Sequence, residues 1–136
     1  MSPAGRTTAV DLSYPAQPSQ VPAIRRVVAD AARIFGAREA TLMQINLAVT
    51  EAATNAILHA YRNRGLAETG DVQVAVWVDD DGCLDVRVRD WGVGLSPRPD
   101  SPGLGLGLGL IAHETECFEV HTTPEGGTEV VLRFRL

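Results

Sequence analysis

Leu47 to Tyr61 reads LAVTEAATNAILHAY, with Glu51, Asn55 and His59 at successive four-residue steps. In an α-helix that spacing stacks the three side chains along one narrow stripe. Between Thr41 and Tyr61 almost every other residue is apolar or small, including Leu42, Met43, Ile45, Leu47, Val49, Ile57 and Leu58. A helix apolar almost all round predicts a buried helix. Buried polar groups then need partners, because each unpaired one costs roughly 1–3 kcal/mol. Two readings stand at this point: a core helix whose polar groups are satisfied by neighbouring loops, or a stripe that faces a ligand.

The chain has 136 residues, enough for one domain with a single two-layer core. Hydrophobic residues make up 45% and charged residues 21%, an ordinary globular balance. A formal net charge of −5 argues against sequence-independent nucleic-acid binding, which needs a basic surface. Every basic residue is arginine. That excludes a Walker A loop and Schiff-base chemistry, both of which need lysine. Cys83 and Cys117 stand singly without a zinc or CxxC pattern, so reduced thiols are expected. No hydrophobic signal region opens the chain, and no apolar run approaches membrane-spanning length, so a cytoplasmic protein is expected.

Outward from the central helix, residues 1–6 read as a flexible tail and Thr7–Tyr14 as a short strand with Val10 and Leu12 on one face, stopped by Pro15 and Pro18. Ser19 is the expected N-cap of a helix with Pro22 in its first turn and Val21, Ile24, Val28, Ala31 and Phe35 on one side; Gly36 ends it. The very short link that follows predicts that the two helices pack together. Arg62–Gly70 reads as a polar loop. Val72–Val78 and Leu84–Asp90 alternate cleanly around the turn Asp79–Gly82, which predicts an antiparallel hairpin with Asp85, Arg87 and Arg89 on its outer face. Residues 92–109 have neither period and hold the lid and a glycine-rich loop, with a short helix from Leu106 to about Glu114. Strands near Glu116–Thr122 and Thr128–Leu136 close the chain. The expected fold is α+β: a two-layer sandwich, helices covering one face of a mixed, largely antiparallel sheet, over one domain of residues 1–136.

Asp90 shares the parity of Leu84, Val86 and Val88, so its carboxylate points toward the core side. There it either caps the turn at Trp91–Gly92 or accepts a hydrogen bond from an amine such as that of adenine. Gly92 and Gly94 follow at alternate positions, where glycine lets a backbone approach a flat ligand. Gly103, Gly105, Gly107 and Gly109 alternate with leucine before a helix N-terminus. Exposed backbone N–H groups there can bind phosphate oxygens, and a plain hinge is the other reading. Thr128, after Gly126–Gly127, has inward parity and is either a water-bridging hydroxyl or a good strand residue.

The ordered set E-x-x-x-N-x-x-x-H-A-Y, D-x-G-x-G, G-x-G-x-G and G-G-T is far more specific than its parts. It resembles the Bergerat-fold ATPases of the gyrase, heat-shock chaperone, histidine-kinase and mismatch-repair type. Within them it looks most like the bacterial anti-sigma factor serine/threonine kinases. The resemblance implies ATP and Mg²⁺ as ligands. Asn55 would coordinate the Mg²⁺ that bridges the phosphates, Glu51 would be the general base or the orienting group for the attacking hydroxyl, and His59 would extend the stripe. Asp90 would read the adenine amine, with Gly92 and Gly94 shaping the base pocket and Thr128 assisting through water. Gly105 and Gly107 would anchor the lid, flanked by Gly103 and Gly109. Arg98, the cation of the Leu95–Pro102 segment, would meet the γ-phosphate.

The function so implied is an ATP-binding anti-sigma factor that sequesters a sigma factor and phosphorylates a serine or threonine of an anti-anti-sigma partner. A homodimer is expected, without nucleic-acid or membrane contact. The alternatives are a protein-interaction module without kinase activity, whether nucleotide-bound or empty, and an ATP-binding domain serving another kinase or phosphatase switch in trans. An intact Glu51 argues against a pure binder, which has no need of a base.

Overall fold

The computed structural model describes residues 5–62, 70–91, 117–123 and 126–136. Among these residues two α-helices and five strands follow in order: β1 (Arg6–Pro15), α1 (Val21–Ile34), α2 (Glu39–Arg62), β2 (Asp71–Asp79), β3 (Cys83–Asp90), β4 (Cys117–Thr122) and β5 (Thr128–Arg135). The five strands form one sheet in the order β1-β2-β3-β5-β4. Every pairing among the described residues is antiparallel, so the sheet is not mixed there.

Strand alternation fixes the register, because a slip of one residue would turn the apolar set to solvent. Val74 pairs with Val88, Val76 with Val86 and Val78 with Leu84. Val86 in turn pairs with Leu132, and Leu84 with Phe134. The two helices lie on that apolar face, α1 over β1 and β2, and α2 over β2, β3 and β5. Ile24, Ile45, Ile57, Leu84, Leu132 and Phe134 are fully buried between the layers, each contributing about 1.5–3 kcal/mol on removal from water. The architecture is the expected α+β two-layer sandwich.

Local details correct several expectations. Ser19 lies in a 3₁₀ turn, Pro18–Gln20, and α1 starts after Gln20 with no side-chain cap. Pro22 in the first turn suffices to open that helix, since its missing N–H would be unsatisfied anyway. Phe35 is the C-cap and is exposed, having left the helical path that carries Ile24, Val28 and Ala31 inward. Gly36 does end the helix: at φ +90° it lets its own N–H reach the Arg33 carbonyl (3.0 Å) and that of Ala37 reach Ala32 (2.9 Å). Leu12 is exposed because β1 is an edge strand, although Val10 on the same face is buried. The central helix is not buried all round. Leu42, Ile45, Val49, Ala53 and Ile57 face the core, while Met43, Leu47 and Leu58 are exposed. A two-layer fold leaves every helix an outer side, whatever its composition.

Candidate functional site

The site begins where β3 and β5 meet. Asp90 lies directly opposite Thr128 in their ladder and opposite Val72 across β2. Both Asp90 and Thr128 face the helical layer, each about 2% exposed. Asp90 has an interaction partner in the structure, as a buried carboxylate requires. Thr128 Oγ1 is buried with no hydrogen-bond partner among the described residues. The strand start that carries Thr128 is set by a closed turn: Thr123 N–H donates to the Gly127 carbonyl (3.2 Å), Gly126 N–H to the Thr123 carbonyl (3.0 Å), and the Thr123 hydroxyl to the Gly126 carbonyl.

From the other layer α2 presents Glu51 and Asn55, one turn apart and both half-buried. Asn55 Nδ2 is buried without a partner among the described residues. α2 packs on β3 and β5, the two strands that carry Asp90 and Thr128. Each of these two atoms, one on the helix and one on a strand that the helix packs against, is of the kind that a polar ligand would satisfy. His59 lies within α2, but its side chain is outside the described residues. Gly92, Gly94, Arg98, Gly103, Gly105, Gly107, Gly109 and the Leu106–Glu114 helix are outside them as well. Among the described residues no cluster of three His, Cys, Asp or Glu side chains could cage a metal. An amide oxygen sharing Mg²⁺ with substrate phosphates needs no such cage.

The opposite face of the sheet holds a different polar arrangement that the sequence did not reveal. Arg133 donates to Asp85 from both Nε and Nη2, at 3.0 Å each, and Asp79 lies 3.5 Å from the same Nη2. The Asp85 hydrogen bond holds the Arg133 guanidinium above its ordinary value. Arg6 stacks over Trp77 at 4.0 Å. These side chains line a hollow of about 420 Å³ with Arg87, Glu119 and His121. Outward parity was legible for Asp85, but its pairing with Arg133 depends on the β3–β5 register, which no local pattern states.

The model of the histidine kinase-like ATPase domain matches residues 14–134. The serine-protein kinase RsbW of Bacillus licheniformis is 31% identical over 134 residues, covering 89% of this chain and 81% of that protein. The anti-sigma F factor of Priestia megaterium is 28% identical over 106 residues, with 70% of each chain covered. Among solved structures, the RsbU and RsbW domains of Rv1364c from Mycobacterium tuberculosis superpose with a TM-score of 0.70 at 21% identity. That match takes in 94% of this chain but spans only 33% of the mycobacterial one, and it speaks to the fold. No described helix is long and apolar enough to cross a membrane.

Proposed function

The chain belongs to the histidine kinase-like ATPase domain family, and from that membership we propose an ATP-binding anti-sigma factor with serine/threonine kinase activity. Its phosphoryl acceptor would be a small anti-anti-sigma partner, and its second protein partner a sigma factor. The reading is supported by relatives named as a serine-protein kinase and an anti-sigma factor. The observation that carries it is the buried Asp90–Thr128 pair with its orphaned hydroxyl.

In this reading Asp90 accepts a hydrogen bond from the adenine amine and Thr128 completes the base contact. Asn55 would hold Mg²⁺ through its amide oxygen, and the ion would supply neutralisation of phosphate charge. Glu51 takes the proton of the attacking hydroxyl as the γ-phosphoryl group passes to it, leaving ADP. By the family resemblance His59 would belong to the same site, Gly92 and Gly94 to its base pocket, and Arg98 with Gly103, Gly105, Gly107 and Gly109 to its phosphate-binding part; all of these lie outside the described residues or side chains. The protein acts in the cytoplasm as a homodimer, for which exposed Ile34, Met43 and Leu47 offer apolar surface.

Calorimetric titration with ATP, with and without Mg²⁺, tests this on the wild-type chain and on Asn55→Ala. The expected result is Mg²⁺-dependent binding that weakens in the variant. Unchanged Mg-ATP affinity in Asn55→Ala rejects the assignment, and absence of binding throughout favours a partner-only interaction module.

A further inference from the structure

The surroundings of Gly127 leave no room for a side chain. A Cβ there would stand 2.1 Å from the Asp90 carbonyl oxygen and 2.8 Å from Trp91 Cα. Its φ of +97° adds a second reason for glycine. Gly82 is the instructive contrast: φ is +80°, yet nothing lies within 4 Å of its would-be Cβ. Gly82 therefore answers only to backbone conformation, whereas Gly127 is also pressed against the last peptide of β3. The contact falls one residue before Thr128, at the peptide that carries Asp90.

We propose that Gly127 is the positioning residue for base specificity: by letting the β4–β5 turn lie on the Asp90 backbone, it sets the spacing between the Asp90 carboxylate and the Thr128 hydroxyl that distinguishes adenine from guanine. The inference rests on the ATP-binding reading above. Adenine offers an amine donor beside a ring-nitrogen acceptor, which suits a carboxylate acceptor beside a rotatable hydroxyl. Guanine reverses both, offering a carbonyl oxygen that the carboxylate repels and an N–H beside it. Discrimination of this kind depends on buried polar groups left unpaired by the wrong ligand, so it is lost when the pair is displaced. A methyl at Gly127 has to push the Asp90 carbonyl or tilt the start of β5, and either moves one member of the pair relative to the other.

The test titrates ATP and GTP, with Mg²⁺, into the full chain carrying Gly127→Ala, Gly82→Ala, Thr128→Val, or Gly127→Ala with Thr128→Val. Gly127→Ala is expected to lose about tenfold in ATP affinity, the scale of one well-placed polar contact, with GTP little changed. Gly82→Ala should lose stability through its own positive φ and keep the wild-type ATP-to-GTP ratio. The double variant should bind ATP about as Gly127→Ala does, because Thr128 has already lost its placement. A wild-type nucleotide ratio in Gly127→Ala, or an equal change in Gly82→Ala, overturns the proposal. Should Gly127→Ala fail to fold, hydrogen exchange on the wild-type chain decides: ATP should slow exchange of the Thr123 and Gly126 amides that close the turn. No slowing overturns the role of Gly127. Failure of the wild type to bind ATP overturns the underlying site as well and is read separately from these ratios.

Discussion

Asp90 and Thr128 face each other across the β3–β5 ladder, both shielded from solvent, yet the Thr128 hydroxyl has no partner among the described residues. An orphaned buried hydroxyl costs about 1–3 kcal/mol in a protein that could have used valine at no loss of shape. Strand pairing holds the two residues side by side regardless of any ligand. In the proposed reading a base entering there would meet groups already in position, so little ordering cost would be added on binding.

Asp90→Asn keeps the shape of the side chain and replaces an acceptor oxygen by a donor. ATP affinity should fall by about tenfold or more, since the amine then meets a donor unless the amide flips away. Calorimetric titration measures it. Unchanged affinity would remove Asp90 from the base contact.

Much of this was legible in the sequence because it rests on local periodicity. Val72 to Val78 and Leu84 to Val88 fixed which side of the hairpin was buried, and the same count placed Asp90 and Thr128 inward. Gly36 announced a helix end through its conformation alone. What stayed hidden depended on tertiary context. Met43 and Leu47 look like core residues until the number of layers is known, and Leu12 until β1 is seen to be an edge. The pairing of Asp85 with Arg133 spans 48 residues, and the crowding at Gly127 comes from a strand distant in sequence.

Arg133→Ala should destabilise the fold without touching nucleotide binding. It strands the Asp85 carboxylate, which is 5% exposed, on the far face of the sheet. The Arg133 side chain is 38% exposed, so water screens the pair and the loss should be about 1–2 kcal/mol, below that of a fully buried pair. Urea unfolding checks the size, and an ATP titration checks that the two faces are independent.

Alkaline stability should depend on Tyr14. Burial raises its hydroxyl above the ordinary 10.0, so the folded chain holds that proton more tightly than the unfolded one. The stabilisation is full below the unfolded value and is lost as pH rises through the folded one. With no lysine in the chain, little else titrates there. Tyr14→Phe should flatten the fall in melting temperature above about pH 10, the tyrosine range. An unchanged slope would remove Tyr14 as the cause of the fall.

Leu47→Asp tests the proposed homodimer. Leu47 is 44% exposed on the outer side of α2, so a charge there costs the monomer little. Sedimentation should show the variant shifted to monomer while its unfolding transition at fixed denaturant changes only through lost association. A dimer that persists would move the interface elsewhere.

Thr128→Val and Asn55→Ala should separate stability from binding in opposite directions. Valine matches the shape of threonine and removes the unpartnered Oγ1 in a strand that favours β-branched residues. Alanine removes the unpartnered Nδ2 from the interior of α2 and is the better helix former. Each variant should therefore unfold at equal or higher temperature, gaining about 1 kcal/mol, the cost of one unsatisfied buried group. Each should at the same time bind Mg-ATP more weakly. Groups kept only for the fold would give the reverse pattern, with stability falling and affinity unmoved. Thermal unfolding without nucleotide, set beside calorimetry with it, distinguishes the two: a stabilised chain that has lost its ligand means these polar atoms are maintained for binding against the interest of the core.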